Sequence, residues 1–294
     1  MPALIDLRRR IKSVQNTQQI TQAMKSVASA KFRKAQKAVL EGRPYWHNFP
    51  GLTGKVAGWV NAEDHPLLQR RAGKIVMGIV VTSDKGLCGA FNSNLLEDAL
   101  SFFEEKSSRS TVRLVLMGKK AVAFFNKHSF AADRVYPDHT HKLTEEELKE
   151  LARYVMRLYV QRQIDAVYLA YNEFKSILAP RVTITQLLPI PSQTSAAEAE
   201  RNSPGAAESP DLEPQASSLL DALLSQYVED QIQHVFRESQ AAEEAARMMA
   251  MDNATKNAED LIDDLKLVLN KMRQASITKE LLEIISAVEA LGKK

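Results

Sequence analysis

Two long stretches at the ends of the chain carry a helical pattern of apolar residues. No Pro or Gly interrupts the sequence between Ala3 and Leu40, or between Pro214 and Leu291. Good helix formers predominate in both, so each stretch predicts one helix, roughly 60 Å and on the order of 115 Å long at 1.5 Å per residue. The second helix is too long to be buried in a domain of this size. It must protrude or be enclosed by other chains.

Apolar side chains in both stretches recur at alternating intervals of three and four residues. This spacing predicts that the two terminal helices pair along a seam, as an antiparallel coiled coil. In the first helix the predicted seam residues are Leu4, Leu7, Ile11 and Val14, followed after a slip by Ile20, Met24 and Val27. In the second they are Leu261, Leu265, Val268, Met272 and Ala275, followed after a slip by Ile277, Leu281, Ile284, Val288 and Leu291.

The middle of the chain alternates β-rich and helical runs. The sequence predicts strands at 74–84, 111–118, 166–174 and 181–190, and helices at 92–105, 119–128 and 143–161. Thr144 and Glu147 have the spacing of a capping box at the start of the last helix. Alternating strands and helices indicate a Rossmann-like α/β domain with a largely parallel sheet.

The predicted organisation is therefore an α/β fold with a coiled coil of long terminal helices. It comprises an N-terminal coiled-coil helix at 1–60, an α/β domain at 74–190, a flexible linker at 191–212 and a C-terminal coiled-coil helix at 213–294. The linker is assigned because it is poor in large apolar side chains and rich in Ser, Ala, Pro and Glu.

Composition narrows the class of protein. A chain of 294 residues with 45% hydrophobic content can form about two domains with a buried core. Cys88 is the only cysteine, which excludes an intramolecular disulfide. No apolar run is long enough to span a bilayer, and the Arg-rich start is interpreted as part of the mature helix, so a soluble cytoplasmic protein is expected.

Charge is unevenly distributed along the chain. The first 40 residues hold nine Lys or Arg and one acid, whereas residues 213–294 hold fifteen acids and nine bases. The basic run Arg8–Lys12 could bind nucleic acid or anionic lipid, but Phe32 is the only aromatic residue before Tyr45 to stack on a base. A solvated face, or a contact with an acidic protein surface, is the favoured interpretation.

A Gly-rich turn is the most enzyme-like feature. Residues 83–92, SDKGLCGAFN, lie between a predicted strand and a predicted helix, where backbone N–H groups can hold phosphate. The turn matches neither common phosphate-binding motif, so a structural tight turn is favoured and a phosphate site remains the alternative. Cys88 is expected to be a buried small residue rather than a nucleophile. His139 and His141 have a metal-compatible spacing but lie in a predicted loop without a third ligand.

Three segments together resemble the γ subunit, the central shaft, of F-type ATP synthases. They are residues 11–31 with Gln19-Ile20-Thr21-Gln22-Ala23-Met24-Lys25, the Gly-rich turn, and a C-terminal pair of segments. The latter are Ala246-Arg247-Met248-Met249-Ala250-Met251 with Ala254–Ala258, and Arg273-Gln274-Ala275-Ser276-Ile277-Thr278-Lys279-Glu280-Leu281. The resemblance covers nearly the whole chain. Because the regulatory cysteine insertion of chloroplast relatives is absent, it indicates a bacterial type.

The resemblance implies a non-catalytic subunit without cofactor or metal, which couples rotation of a c-subunit ring to conformational change on the β subunits. Implied partners are the α and β subunits, the ε subunit and the c ring, with no nucleic acid and with membrane contact only through the c ring. The implied location is peripheral, on the cytoplasmic face of the bacterial membrane. The implied partner-contact residues are Met24, Lys25, Arg247, Arg273, Gln274, Thr278 and Glu280, with Glu213 docking on the c ring.

Overall fold

The computed structural model describes residues 2–58, 65–71, 73–128, 130–137, 143–176, 180–191 and 216–292. Helix α1 (Pro2–Gly58) and helix α5 (Ala216–Gly292) are joined by an α/β segment with a five-stranded sheet. The α/β fold with long terminal helices is therefore confirmed. Nearly all of the predicted linker, and Glu213, lie outside the described residues.

Helix α1 extends past the uninterrupted helical stretch that ends at Leu40, through Gly42 and Pro44. The indole of Trp46 is buried there, and a Cβ atom on Gly42 would come within 2.4 Å of that ring. Gly42 thus makes room for the indole. Burying a side chain of this size offsets the low helix propensity of Gly and Pro.

The sheet is largely parallel, as predicted. Its strands are β1 (Ile75–Val81), β2 (Thr111–Met117), β3 (Ala131–Tyr136), β4 (Ala166–Phe174) and β5 (Pro180–Leu188), in the order β3-β2-β1-β4-β5. Only β5 is antiparallel to its neighbour. Strand β3 was not predicted, because it is an edge strand whose sequence is interrupted by charge. One of those charges, Asp133, pairs with Arg113 of β2.

Helices cover both faces of the sheet. They are α2 (Phe91–Ser107), α3 (Lys119–Phe125) and α4 (Glu145–Val160). Side chains of α4 and of the first part of α5 pack on one face, and those of α2 and α3 on the other. The predicted capping box is present: the Thr144 N–H donates to Glu147 Oε2 at 2.7 Å, and the Glu147 N–H donates to Thr144 Oγ1 at 3.3 Å.

The chain forms two compact units. The first consists of Met1–Ala28 with Met248–Lys294, and the second is Ser29–Arg247. The described residues of the first unit are all helical and belong to the beginning of α1 and the end of α5. The second contains the sheet, α2, α3, α4 and the remaining parts of the two long helices.

Candidate partner-contact site

The helices of the first unit pair antiparallel. The Lys25 ammonium donates to Asp252 Oδ1 at 2.6 Å, and the hydroxyl oxygens of Thr21 and Thr255 lie 2.8 Å apart. Residue numbers fall along α5 as they rise along α1, which fixes opposite directions. The predicted antiparallel coiled coil is confirmed for this unit.

The seam of α1 is only half as predicted. Leu4, Leu7, Ile11 and Val14 are buried or half-buried, and the same spacing then continues without a slip. The continuing seam residues are small or polar: Gln18, Thr21, Lys25 and Ala28. Ile20 and Val27, predicted in the seam, are instead 60% and 57% exposed, and Met24 is half-buried. The prediction failed because it followed hydrophobicity, whereas the helices approach through small and hydrogen-bonded side chains.

The seam of α5 is displaced in a similar way. Its inward positions are Met251, Thr255, Ala258, Ile262, Leu265, Leu269 and Met272. Leu265 and Met272 were predicted correctly, but Leu261 and Val268 are 40% and 45% exposed. Each lies one residue from a position that faces α1.

The last part of α5 extends beyond its pairing with α1. Leu4 lies seventeen residues before Thr21, and Met272 lies seventeen residues after Thr255, so these two residues are at the same level. The N-terminal end of α1 is therefore near Met272, whereas α5 continues to Gly292. The second predicted set of seam residues therefore has no facing α1 residue in the described chain. We call residues 273–288 the distal segment.

The distal segment exposes a cluster of large apolar side chains over roughly half of its circumference, since they follow helical spacing along one broad face. Their exposed fractions run from 50% to 65%, at Ile277, Leu281, Leu282, Ile284, Ile285 and Val288. Fully burying an exposed side chain of this size is worth about 1.5 to 3 kcal/mol, and covering these half-exposed ones is worth roughly half as much. Contiguous apolar surface of this kind marks a site where another protein binds. Ile20 and Val27, seven residues apart on one face of α1, add apolar surface to the same unit.

Four predicted contact residues lie on this exposed helix. Arg273, Gln274, Thr278 and Glu280 are all exposed. Thr278 Oγ1 donates to the Gln274 carbonyl at 2.9 Å, and Ser276 Oγ donates to Glu280 at 3.3 Å. These bonds are local to α5, so the four side chains present their outer surfaces to solvent.

Lys25 and Asp252 form a charged cluster with Lys256. The Lys256 ammonium lies 2.9 Å from Asp252 Oδ2, so two ammonium groups share one carboxylate. Hydrogen bonds from Lys25 and then Lys256 lower the pKa of Asp252 below its ordinary value. The cluster carries a net positive charge and is partly exposed, as a contact with an acidic partner requires.

Arg247 lies in the second unit and is buried. Its guanidinium forms ion pairs with Glu243 and, at 2.9 Å, with Glu244, and all three residues are less than 9% exposed. Lys31 of α1 lies 4.0 Å from Glu244. Burial lowers the pKa of the Arg247 guanidinium, but the two carboxylates outweigh burial and the net shift is upward. Only 8% of the Arg247 surface is exposed, which leaves little of this residue for a partner to contact.

Burial raises the pKa of Glu243 to about 7, against the lowering effect of Arg247, while Glu244 and Asp84 add to the rise. The folded state therefore favours the protonated carboxyl. This contribution to stability is complete below the ordinary pKa of 4.5 and is lost as pH rises through about 7.

Wild type is accordingly expected to lose roughly 3 kcal/mol more unfolding free energy between pH 4.5 and 8 than Glu243→Gln does. Urea unfolding of the full chain at both pH values measures this difference. Glu97→Gln, on the exposed face of α2, is the matched control and should behave as wild type. Equal pH dependence in wild type and Glu243→Gln would contradict the assignment.

A second buried carboxylate, Glu238, joins three elements. It accepts the Phe174 N–H at 2.9 Å and lies 3.4 Å from the Arg43 guanidinium and 3.3 Å from His234 Nε2. Burial would raise the pKa of Glu238, but its hydrogen bonds and the neighbouring charges lower it overall. Sequence reasoning missed Glu238, Glu243 and Glu244. The buried small residues Ala241, Ala242 and Ala245 mark this stretch of α5 as closely packed, but a carboxylate beside them is not by itself a signal of burial.

Side chains at the two ends of the Gly-rich turn, Ser83 and Asn92, close it with a network of hydrogen bonds. Asn92 Oδ1 accepts the Ser83 N–H at 3.0 Å, Asn92 Nδ2 donates to Ser83 Oγ at 2.8 Å, and Ser83 Oγ lies 2.6 Å from the Lys85 carbonyl oxygen. Leu87 and Gly89 adopt positive φ angles, as a tight turn requires. This network supports the structural interpretation over the phosphate site.

Cys88 is 2% exposed, as predicted, and burial raises the pKa of its thiol.

His139 and His141 lie outside the described residues. Within the described ranges, no group of three or more His, Cys, Asp or Glu side chains is placed to hold a metal ion. None of the described helices is long and apolar enough to cross a membrane.

The family model described as ATP synthase matches residues 3–291. The ATP synthase gamma chain of Pelotomaculum thermopropionicum is 42% identical over 291 residues, covering 99% of this chain and all of that relative. The ATP synthase gamma chain of Anaeromyxobacter dehalogenans is 43% identical over 295 residues, with the same two coverages.

Solved structures share the fold. A chain from the Euglena gracilis mitochondrial ATP synthase, described as OSCP/F1/c-ring in rotational state 3, matches with a TM-score of 0.68 and 19% identity, over 100% of this chain and 96% of that one. A chain from the central stalk/c-ring structure of the Tetrahymena thermophila mitochondrial ATP synthase matches with a TM-score of 0.60 and 23% identity, over 80% of this chain and 99% of that one.

Proposed function

Because this chain belongs to the ATP synthase gamma chain family, we propose that it is the central rotor shaft of a proton-translocating F-type ATP synthase. Its partners in this proposal are a ring of α and β subunits, the ε subunit and a ring of c subunits. Rotation of the c ring turns the shaft, and the shaft changes the conformation of the catalytic sites on the β subunits.

One observation carries the proposal: the distal segment of α5 is a single helix that exposes six large apolar side chains. A free helix with such an apolar face is poorly suited to water, whereas a ring of subunits around the helix would cover that face. The outward Ile20 and Val27 fit the same enclosure. We therefore assign the first unit to the interior of the α and β ring.

Coupling follows from the mismatch between a rod and a ring. A single shaft inside a ring of three identical pairs meets each β subunit with a different face. Each site is then biased toward a different conformation, by as much as its contact energies differ. As the shaft turns, each β subunit meets every face in sequence.

Contact roles are proposed residue by residue. The exposed Arg273, Gln274, Thr278 and Glu280 meet the β subunits and the collar of the ring. Met24 and the Lys25 cluster meet an acidic loop of β. Arg247 acts mainly from within, by holding Glu243 and Glu244 in place, and reaches a partner only through its exposed edge.

The remaining assignments place the chain in the whole complex. Glu213 is assigned to docking on the c ring. The chain itself is assigned no catalytic site and no cofactor, and it sits peripherally on the cytoplasmic face of a bacterial membrane, in contact with that membrane only through the c ring.

A charge swap at the Lys25 cluster tests the contact assignment. Lys25→Asp is expected to reduce proton pumping per ATP hydrolysed in membrane vesicles, because it presents a carboxylate to an acidic partner. The double variant Lys25→Asp/Asp252→Lys restores the ion pair inside the chain but leaves residue 25 acidic. Pumping should therefore remain low in the double variant. Full recovery would show that Lys25 acts only through Asp252.

A further inference from the structure

A cleft of about 650 Å³ opens in the second unit at the end of the sheet opposite the Gly-rich turn. Its floor is formed where β1 and β4 begin and β5 ends, by Val76, Ala166 and Ile190 among others. The volume lies within the range of small-molecule sites. Nothing in the proposed rotor function uses this cleft.

Cations from two separate segments line the cleft. Arg70 and Arg71 precede β1, and Lys106 and Arg109 lie at the end of α2. Two acids, Glu105 and Asp165, also line it, and Asp165 Oδ2 already accepts the N–H of Ile75 at 3.0 Å. Cations at the end of α2 complement the negative end of its helix dipole. That explanation does not extend to the arginines before β1.

Two of the four cations are held in place. Arg71 donates to the carbonyl oxygens of Tyr159 and Ile164, and its guanidinium carbon lies 4.2 Å from the centre of the Tyr159 ring. The Lys106 ammonium lies 5.3 Å from the centres of the Phe102 and Tyr168 rings. Ordering these side chains in advance lowers the entropic cost of binding an anion.

Three of the four cations have unused hydrogen-bonding capacity. Within the described part of the chain, Arg70, Lys106 and Arg109 have no carboxylate partner at ion-pair distance. The guanidinium fork matches two oxygens of a phosphate group. Beside these charges, Val76, Tyr168 and Ile190 provide apolar and aromatic surface. A ligand that matches both parts has an anionic head and an organic body.

We propose that this cleft binds an organic phosphate, with the phosphate on Arg70, Lys106 and Arg109 and the organic part on the floor around Tyr168. The phosphate belongs either to a soluble ester or to the head group of an anionic phospholipid. Both present the same chemistry to the cleft, and the experiment separates them.

The test uses the full chain with two probes. Metal-free ATP is titrated by calorimetry, and vesicles of phosphatidylglycerol are tested by co-sedimentation against vesicles of phosphatidylcholine. Saturable binding of ATP assigns a soluble ester, and binding to phosphatidylglycerol vesicles alone assigns a lipid head group. Binding to neither probe would overturn the proposal.

Matched variants locate the site. Arg70→Gln/Arg109→Gln is expected to weaken binding at least about tenfold, because two charge-assisted hydrogen bonds are lost. Lys120→Gln/Lys127→Gln removes the same charge from exposed positions that do not line the cleft, and should change affinity less than about twofold, since distant surface charges are screened. Equal weakening in both variants would overturn the proposal, because it would show a general charge effect.

Discussion

Replacing Arg247 by methionine is expected to lower the unfolding free energy by about 3 to 5 kcal/mol at pH 8. The substitution keeps most of the side-chain volume but leaves Glu243 and Glu244 buried without their guanidinium partner. Lys31, 4.0 Å from Glu244, offsets only part of the lost charge. Urea unfolding measured by circular dichroism gives the free energy.

The loss of stability in Arg247→Met should depend on pH and on a second substitution. At pH 5 the loss should be much smaller, because the pKa of Glu243 is about 7 and its carboxyl is then protonated. Arg247→Met/Glu243→Gln should likewise recover part of the stability at pH 8. Arg153→Met, at an exposed position on α4, is the control and should cost little. A small, pH-independent loss in Arg247→Met would contradict the buried-cluster account.

Burial of Arg247 alters the expected effect of a charge reversal at this residue. The family resemblance implies that Arg247 is a partner-contact residue, and charge reversal at an exposed contact residue would leave the fold intact. Since Arg247 is 8% exposed between two carboxylates, its reversal would bury three acids together and damage folding itself. Lys25, which is partly exposed, is the better residue for testing partner contact by charge.

The second large effect is expected from the distal segment. The triple variant Leu281→Gln/Ile284→Gln/Ile285→Gln should weaken binding of the chain to its α and β subunits a hundredfold or more. Because each of these side chains is only about half exposed, it would contribute about 0.8 to 1.8 kcal/mol when covered by a partner, and the three together match a hundredfold change in affinity. Binding is measured by reconstitution from purified subunits over a range of concentrations.

The isolated triple variant should unfold at the same urea concentration as wild type, because the three side chains are already 54% to 60% exposed. The matched control, Leu95→Gln, changes a fully buried residue of α2 and should unfold the second unit instead. If the triple variant assembled with wild-type affinity, the distal segment would not be the enclosed surface.

Much of the architecture could be predicted from local sequence. Strands β1, β2 and β4 are nearly continuous apolar runs because both of their faces are covered, and Thr144 with Glu147 marks the start of α4 through a local hydrogen-bond pattern. Strand β3 carries no such signal, since an edge strand held by Arg113 and Asp133 needs little hydrophobicity.

The details of the coiled coil could not be predicted in the same way. Hydrophobicity placed Ile20 and Val27 in the seam, yet Thr21 and Ala28 occupy it. A helix with apolar residues on the face toward its partner helix and on the face toward other subunits carries two overlapping apolar patterns. The residues that pair across the seam, such as Thr21 with Thr255, show which pattern faces the partner helix. Burial of Glu243 and Glu244 was equally hidden, because carboxylates on a helix normally face water.

Rotation of this chain within its complex is the most direct test of its proposed role. A probe attached to Lys127→Cys, at an exposed position of the second unit, reports the motion of the chain in an immobilised complex; the native Cys88 is 2% exposed and reacts slowly. With ATP present, the account predicts one-way rotation in steps of one third of a turn. A probe that stays fixed while the same complexes hydrolyse ATP would contradict the rotor assignment.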